Sequence, residues 1–280
     1  MPLFLDSDRS GSRAELNAGI CITIGLINNM PDAALEATER QFTDLIRAAT
    51  PNAVVLLRLF TLPEMARGEA ARNALAGRYR DVAALWDTPL DGLIVTGAEP
   101  RAKNLMDEPY WDTLSRLVDW AKDHTASTIW SCLAAHAAVL HCDGIERRAL
   151  KQKLFGVFDC RLVADHPMTE HFPEPLWVPH SRYNDLPEDA LAAAIRSSPG
   201  RMPPVSMLSP SRTAASFCSS RAIPNTRRIR SCANIAAMSR AFWPASASTI
   251  RKCHSAISMT MRQPRARLSK RGRCATGAAS

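Results

Sequence analysis

With 280 residues, 46% of them hydrophobic and 22% charged, the chain can bury a sizeable core as one large domain or two ordinary ones. No stretch approaches the length of uncharged apolar sequence that spans a membrane, and the start MPLFLDSDRSGSR lacks the apolar run of a signal peptide. The eight cysteines include no CxxC pair and no metal-ligand spacing, so no metal centre is expected and a reduced, cytoplasmic setting fits.

In chain order, residues 20–27 (ICITIGLI) are β-branched and apolar and predict a buried strand. Asn28-Asn29-Met30-Pro31-Asp32 is a turn, with Pro31 suited to a first helical position. From Ala33 to Ala49, Leu35, Phe42, Leu45 and Ile46 recur at helical spacing. Residues 53–60 (AVVLLRLF) predict a second strand, Ala70–Trp86 a helix, and residues 92–96 (GLIVT) a third strand closed by Gly97. Pro109–His124 is amphipathic, Thr128–Ser131 is a fourth strand, and Leu133–Cys142 a helix. Residues 154–163 and 177–181 add extended segments. Strands alternating with helices imply an α/β fold, a parallel sheet with helices on both faces.

This grammar stops after Ala194. From Ile195 to Ser280 there are 14 Arg, 2 Lys and no Asp or Glu, so all 27 acidic residues lie in residues 1–194. The two parts therefore read as separate units: an α/β domain over 1–194, and a basic tail over 195–280 that is not expected to fold natively. A nucleic-acid-binding role for the tail is the bland use of such charge. It is disfavoured by the scarcity of aromatic residues for stacking bases.

The chemistry centres on WSCLAAH. Cys132 stands at the corner between a strand and a helix, where α/β folds place nucleophiles. There the helix dipole and free N–H groups are expected to lower the thiol pKa and to hold an oxyanion near Leu133. Cys21, Cys142 and Cys160 lie in strand-like or helix-like runs and read as apolar filler. His136, one turn along the nucleophile's own helix, is expected to pack beside the site rather than act as base, and His124 to be structural. In PHSRYND, Ser181 and Arg182 could bind a polar substrate or clamp a carboxylate; an ordinary turn with an exposed ion pair is the simpler view. Lys153 alone reads as a surface lysine, and Gly97–Arg101 as a βα loop at the carboxyl end of a strand.

As an ordered set, INNMPD with the following Thr-Glu-Arg-Gln helix, DGLIVTGAEP, EPYW, DWAKDHTASTIWSCLAAHA, KLFGVF and PHSRYND resemble the homoserine O-acyltransferases of the succinyltransferase type over about residues 20–190. The resemblance implies a class I glutamine amidotransferase-like (flavodoxin-like) fold. It implies acyl transfer from acyl-CoA, succinyl or acetyl, to the hydroxyl of homoserine in methionine biosynthesis, with acyl-CoA as co-substrate and no bound cofactor. Small molecules are then the partners, and a homodimer is compatible. The resemblance gives Cys132 the acylated nucleophile, Lys153 and Ser181 substrate contacts, and Arg101 the loop position that separates acyl donors. Leu133 and His136 stand where the family often has Trp and Gln, and Arg101 where Gly or Glu is usual, so donor and acceptor stay open. A glutamine amidotransferase-like cysteine hydrolase on the same fold is the alternative.

The family's base lies in a His-Pro-Glu-Tyr motif that this chain lacks. At about that place stands CSSRAIPNT, Cys218–Thr226. It can be encoded TGT TCT TCC AGG GCC ATC CCG AAT AC, and dropping its first two nucleotides gives FFQGHPEY. The same shift permits Asp-Thr-Leu-Leu-Arg-Glu-Tyr through Arg228–Ile235 and Tyr-Pro-Glu-Met-Pro through Thr249–Ser255. An out-of-frame translation from about Ile195 onward accounts for the lost acids, the excess of Arg and Ser and the lost hydrophobic period. It predicts that no tail histidine serves Cys132.

Overall fold

The computed structural model describes residues 3–5, 21–50, 54–162, 176–197, 207–209, 212–213 and 216–220. Strand β1 (Leu3–Leu5) is followed by β2 (Cys21–Ile27), whose turn leads through a short 3-10 segment into α1 (Leu35–Ala49). Pro31 precedes that segment, in the place its fixed φ suits. Then come β3 (Val54–Thr61), α2 (Glu69–Leu75), β4 (Tyr79–Asp81), β5 (Gly92–Val95), α3 (Trp111–His124), β6 (Ser127–Ser131) and α4 (Leu133–Asp143). Two long strands, β7 (Arg148–Leu162) and β8 (Leu176–Asp185), precede α5 (Glu188–Ser197) and the short β9 (Met207–Ser209), β10 (Arg212–Thr213) and β11 (Ser216–Ser220).

The main sheet has the order β1-β3-β2-β5-β6-β11, with β4 also beside β3. Strands β1 to β6 pair in parallel, and β11 runs antiparallel to β6. Alternation along the strands feeds two cores. Ile22, Ile24, Leu26, Val55 and Leu57 bury against Phe42, Leu45 and Ile46 of α1. On the other face Ile27, Phe60, Leu93, Val95 and Trp130 bury against Leu114, Leu117 and Val118 of α3 and the alanines of α4. Helices cover both faces, as the alternating sequence predicts.

One expectation needs correction. The apolar pattern of Ala70–Trp86 predicts one helix, but α2 ends at Leu75. Gly77 takes φ 76°, a backbone that ends the helix, and Asp81 accepts a hydrogen bond from the Ala83 N–H to cap a separate 3-10 turn at Val82–Leu85. The short strands β9, β10 and β11 lie in the acid-free segment. Phe217 lies opposite Trp130 and Ser216 opposite Ser131, so β11 covers the outer edge of β6. Among the described residues no helix is long and apolar enough to cross a membrane.

β2 has β3 on one side and β5 on the other, so the strand order reverses about it and opens a crevice at the carboxyl ends. Arg67 fixes the loop leaving β2. Its guanidinium donates to the carbonyls of Met30 and of Asn28, the latter at 3.0 Å, and pairs with Asp32 at 3.2 Å. Asp32 in turn accepts from the Gly68 N–H at 2.8 Å. Replacing Arg67 with Met strands these acceptors, and urea unfolding followed by tryptophan fluorescence should show a loss of about 1–3 kcal/mol.

Candidate functional site

Cys132 leaves β6 with φ 57° and ψ −123° and begins α4, its carbonyl accepting from the Ala135 N–H at 3.0 Å. Among the described residues it is the sole non-glycine with positive φ. That backbone is costly for a side chain with a Cβ, and the strain marks a sharp strand-to-helix turn that lifts the thiol out of the sheet. Cys132 follows the carboxyl end of β6, two strands from β2, and is exposed.

The neighbouring strand meets this turn backbone to backbone. A Cβ placed on Gly97 would lie 2.9 Å from the Leu133 nitrogen and 3.0 Å from the Cys132 Cβ. No other residue type fits there without moving the elbow. Beyond Gly97, buried Glu108 folds the loop back by accepting from the N–H groups of Arg101 at 2.7 Å and Ala102 at 2.8 Å. Arg147 donates to the carbonyls of Ala102 at 3.3 Å and Lys103 at 3.2 Å. The Arg101 backbone is thus pinned while its side chain remains exposed.

Electrostatics at the thiol run against expectation. The Leu133 N–H and the Arg182 guanidinium both pull the Cys132 pKa down, yet crowding by the surrounding protein outweighs them and pushes it above its ordinary value. Although the residue has exposed surface, the walls about the sulfur remove enough water to favour the neutral thiol. The helix terminus alone does not make a thiolate here.

The β7–β8 ribbon sorts the remaining candidates by face. Phe155 pairs with Ser181, Leu154 with Arg182 and Gly156 with His180. Lys153 therefore shares one face with Phe155, Ser181 and Tyr183, and its ammonium lies 5.5 Å and 5.4 Å from the two aromatic rings. This face is exposed. Arg182 and His180 occupy the other. Arg182, with its side chain 10% exposed, pairs with buried Asp185 at 3.3 Å and acts on Cys132, His136 and His180. Lys153 and Ser181 thus come together, whereas the cation whose field reaches the thiol is Arg182, which in sequence alone has the simpler reading of a turn residue.

The histidines divide similarly. His124 donates from Nδ1 to the Trp120 carbonyl (2.8 Å) and stacks on that indole; His141 meets Asp119 at 2.9 Å. Both are held away from the elbow's chemistry. His136 and His180 are buried, and burial followed by nearby arginines lowers each pKa to about 4. His136 is buried one turn from the elbow, its backbone N–H on the Cys132 carbonyl at 3.4 Å. His166 and His171 lie outside the described residues. The described residues form no cluster suited to a metal.

These shifts have a testable sign. Both folded-state histidine pKa values lie below the unfolded value near 6.5, so the unfolded state binds more protons between pH 4 and 6.5. Stability is full above that window and falls as pH drops through it. Thermal melting should occur lower at pH 5 than at pH 7.5, and His136→Gln should shrink the difference. Likewise the Cys132 alkylation rate should still be climbing above about pH 8.5.

A family model described as homoserine O-succinyltransferase matches residues 9–198. A homoserine O-succinyltransferase of Rhodopseudomonas palustris is 58% identical over 172 residues, covering 61% of this chain and 52% of that protein. One from Bradyrhizobium japonicum is 48% identical over 202 residues, 69% of this chain and 62% of the relative. The chain thus spans about half the length of the curated relatives it matches. Among solved structures, a putative GMP synthase component of Thermoplasma acidophilum is 15% identical; the match covers 82% of this chain and 98% of that one, with a TM-score of 0.40. With the family model matching well over half of its residues, this chain belongs to the homoserine O-succinyltransferase family.

Proposed function

We propose that residues 1–194 are the greater part of an acyltransferase that moves an acyl group, succinyl or acetyl, from acyl-CoA to the hydroxyl of homoserine. This is a step of methionine biosynthesis, and the fold would be that of the class I glutamine amidotransferases. The observation that carries the reading is the strained backbone of Cys132 at the carboxyl end of β6, opposite Gly97. The Cys132 thiolate attacks the acyl-CoA carbonyl, the new C–S bond forms, and the oxyanion is held by the Leu133 N–H with the Gly97–Ala98 backbone. The tetrahedral adduct collapses with loss of the CoA thiolate, leaving an acyl thioester on Cys132. The homoserine hydroxyl then attacks that thioester and gives its proton to a base as the Cys132 thiolate departs. Lys153 and Ser181 contact substrate, and Arg101 sits at the loop position that discriminates acyl donors. The setting is cytoplasmic, the partners are these small molecules, and a homodimer fits the reading.

The base and its carboxylate partner are missing from this chain. We attribute this to a reading frame lost near residue 195. The family match ends at residue 198, almost where the acidic residues end. With the thiol pKa raised and no base for the hydroxyl, the chain as written does not turn over.

Two measurements test this. Incubation with succinyl-CoA at alkaline pH, followed by peptide mass analysis, should place one succinyl group on Cys132, and Cys132→Ser should abolish it. Glutaminase activity in its place would point to the amidotransferase alternative. Catalytic turnover of homoserine should be lower by at least about 10²–10⁴-fold than in a version with the shifted frame restored. Ordinary turnover by the chain as written, or a gene that reads cleanly through codon 195 with tail peptides to match, overturns the frame argument.

A further inference from the structure

One buried side chain beside the central strand is left unused by the reaction above. Asn29, 2% exposed, stands just past β2. Its backbone N–H donates to Thr96 Oγ1 at 2.8 Å, and its side-chain Nδ2 donates to the Thr96 carbonyl at 3.3 Å. β5 ends at Val95, and the ladder continues for one more bond, from the Thr96 N–H to the Ile27 carbonyl at 3.0 Å. Beyond that bond, Asn29 holds the peptide between Thr96 and Gly97.

The direction of this hold matters. β5 is flanked by β2 on one side and β6 on the other. In a planar trans peptide the C=O and the following N–H point in opposite directions. With the Thr96 carbonyl turned toward Asn29 on the β2 side, the Gly97 N–H is turned toward the β6 side. There a Cβ on Gly97 would stand 2.9 Å from the Leu133 nitrogen. We propose that Asn29 is a positioning residue for the anion pocket at Cys132: its amide locks the Thr96–Gly97 peptide so that the Gly97 N–H joins the Leu133 N–H in facing the bound acyl oxygen. This rests on the acylated-cysteine reading.

The test compares two reactions of one sulfur in the full chain. Acylation by p-nitrophenyl acetate passes through an oxyanion, whereas alkylation by iodoacetamide does not. Both are followed at about pH 9.5, with Cys132 occupancy read by peptide mass and Cys132→Ser as background. Asn29→Asp keeps the shape but loses the donor, and Thr96→Val removes the other acceptor of the same clamp. Each should slow acylation about tenfold or more and change alkylation less than twofold. Unchanged acylation in both variants overturns the proposal. So does an equal fall in both reactions, which marks a general loss of structure. A wild-type thiol that alkylates but never acylates refutes the acyl-transfer reading itself, and this inference with it.

Discussion

Between Gly97 and the elbow there is no room for a methyl group. That contact organises the carboxyl edge of the sheet. β5 and β6 must pair in register from Gly92↔Ser127 to Val95↔Trp130 for the two backbones to arrive together. The turn at Cys132 must accept an unfavourable φ to bring its amide to the same point. The cores on both faces supply the rigidity. Trp130, two residues before the elbow cysteine, is fully buried against one, and Ile94, just before Val95, belongs to the other. A strained position survives when its neighbours overdetermine it, and here a central strand, a glycine and a helix start do so.

The raised thiol pKa belongs to the same economy of space. Close walls remove water from the sulfur, and the Leu133 N–H with Arg182 offsets only part of that loss. Under the proposed acyl transfer, such a thiol would depend on an added base, and neither buried histidine is suited to the work. Burial, with Arg182 nearby, lowers the pKa of His136 and of His180 to about 4, which makes both weak proton acceptors.

Much of this is legible in the residues because local pattern and tertiary burial agree. Runs such as ICITIGLI and GLIVT can only be buried strands, and the corner at Trp130–Cys132 announces itself by a strand giving way abruptly to an alanine-rich helix. Ala70–Trp86 misleads because its apolar residues keep helical spacing across Gly77, while the backbone at Gly77 decides otherwise. Two features of the site have no local signature. The clamp from Asn29 to Thr96 joins residues 67 positions apart and follows from strand order. The opposite faces taken by Ser181 and Arg182 follow from the register of β7 against β8. The thiol misleads because a helix terminus is visible in sequence and the crowding around a sulfur is not.

The place of β11 has a consequence for how the molecule is handled. Among the described residues it is the sole neighbour on the far side of β6, paired along all five residues from Ser127 to Ser131. Cutting away the acid-free segment to obtain a tidier domain uncovers that row of amide and carbonyl groups beside an apolar, β-branched core. A bare lateral strand of this kind recruits any extended peptide, including its own copies. Residues 216–220 are thus what stands between the β6 ladder and any strand offered from outside.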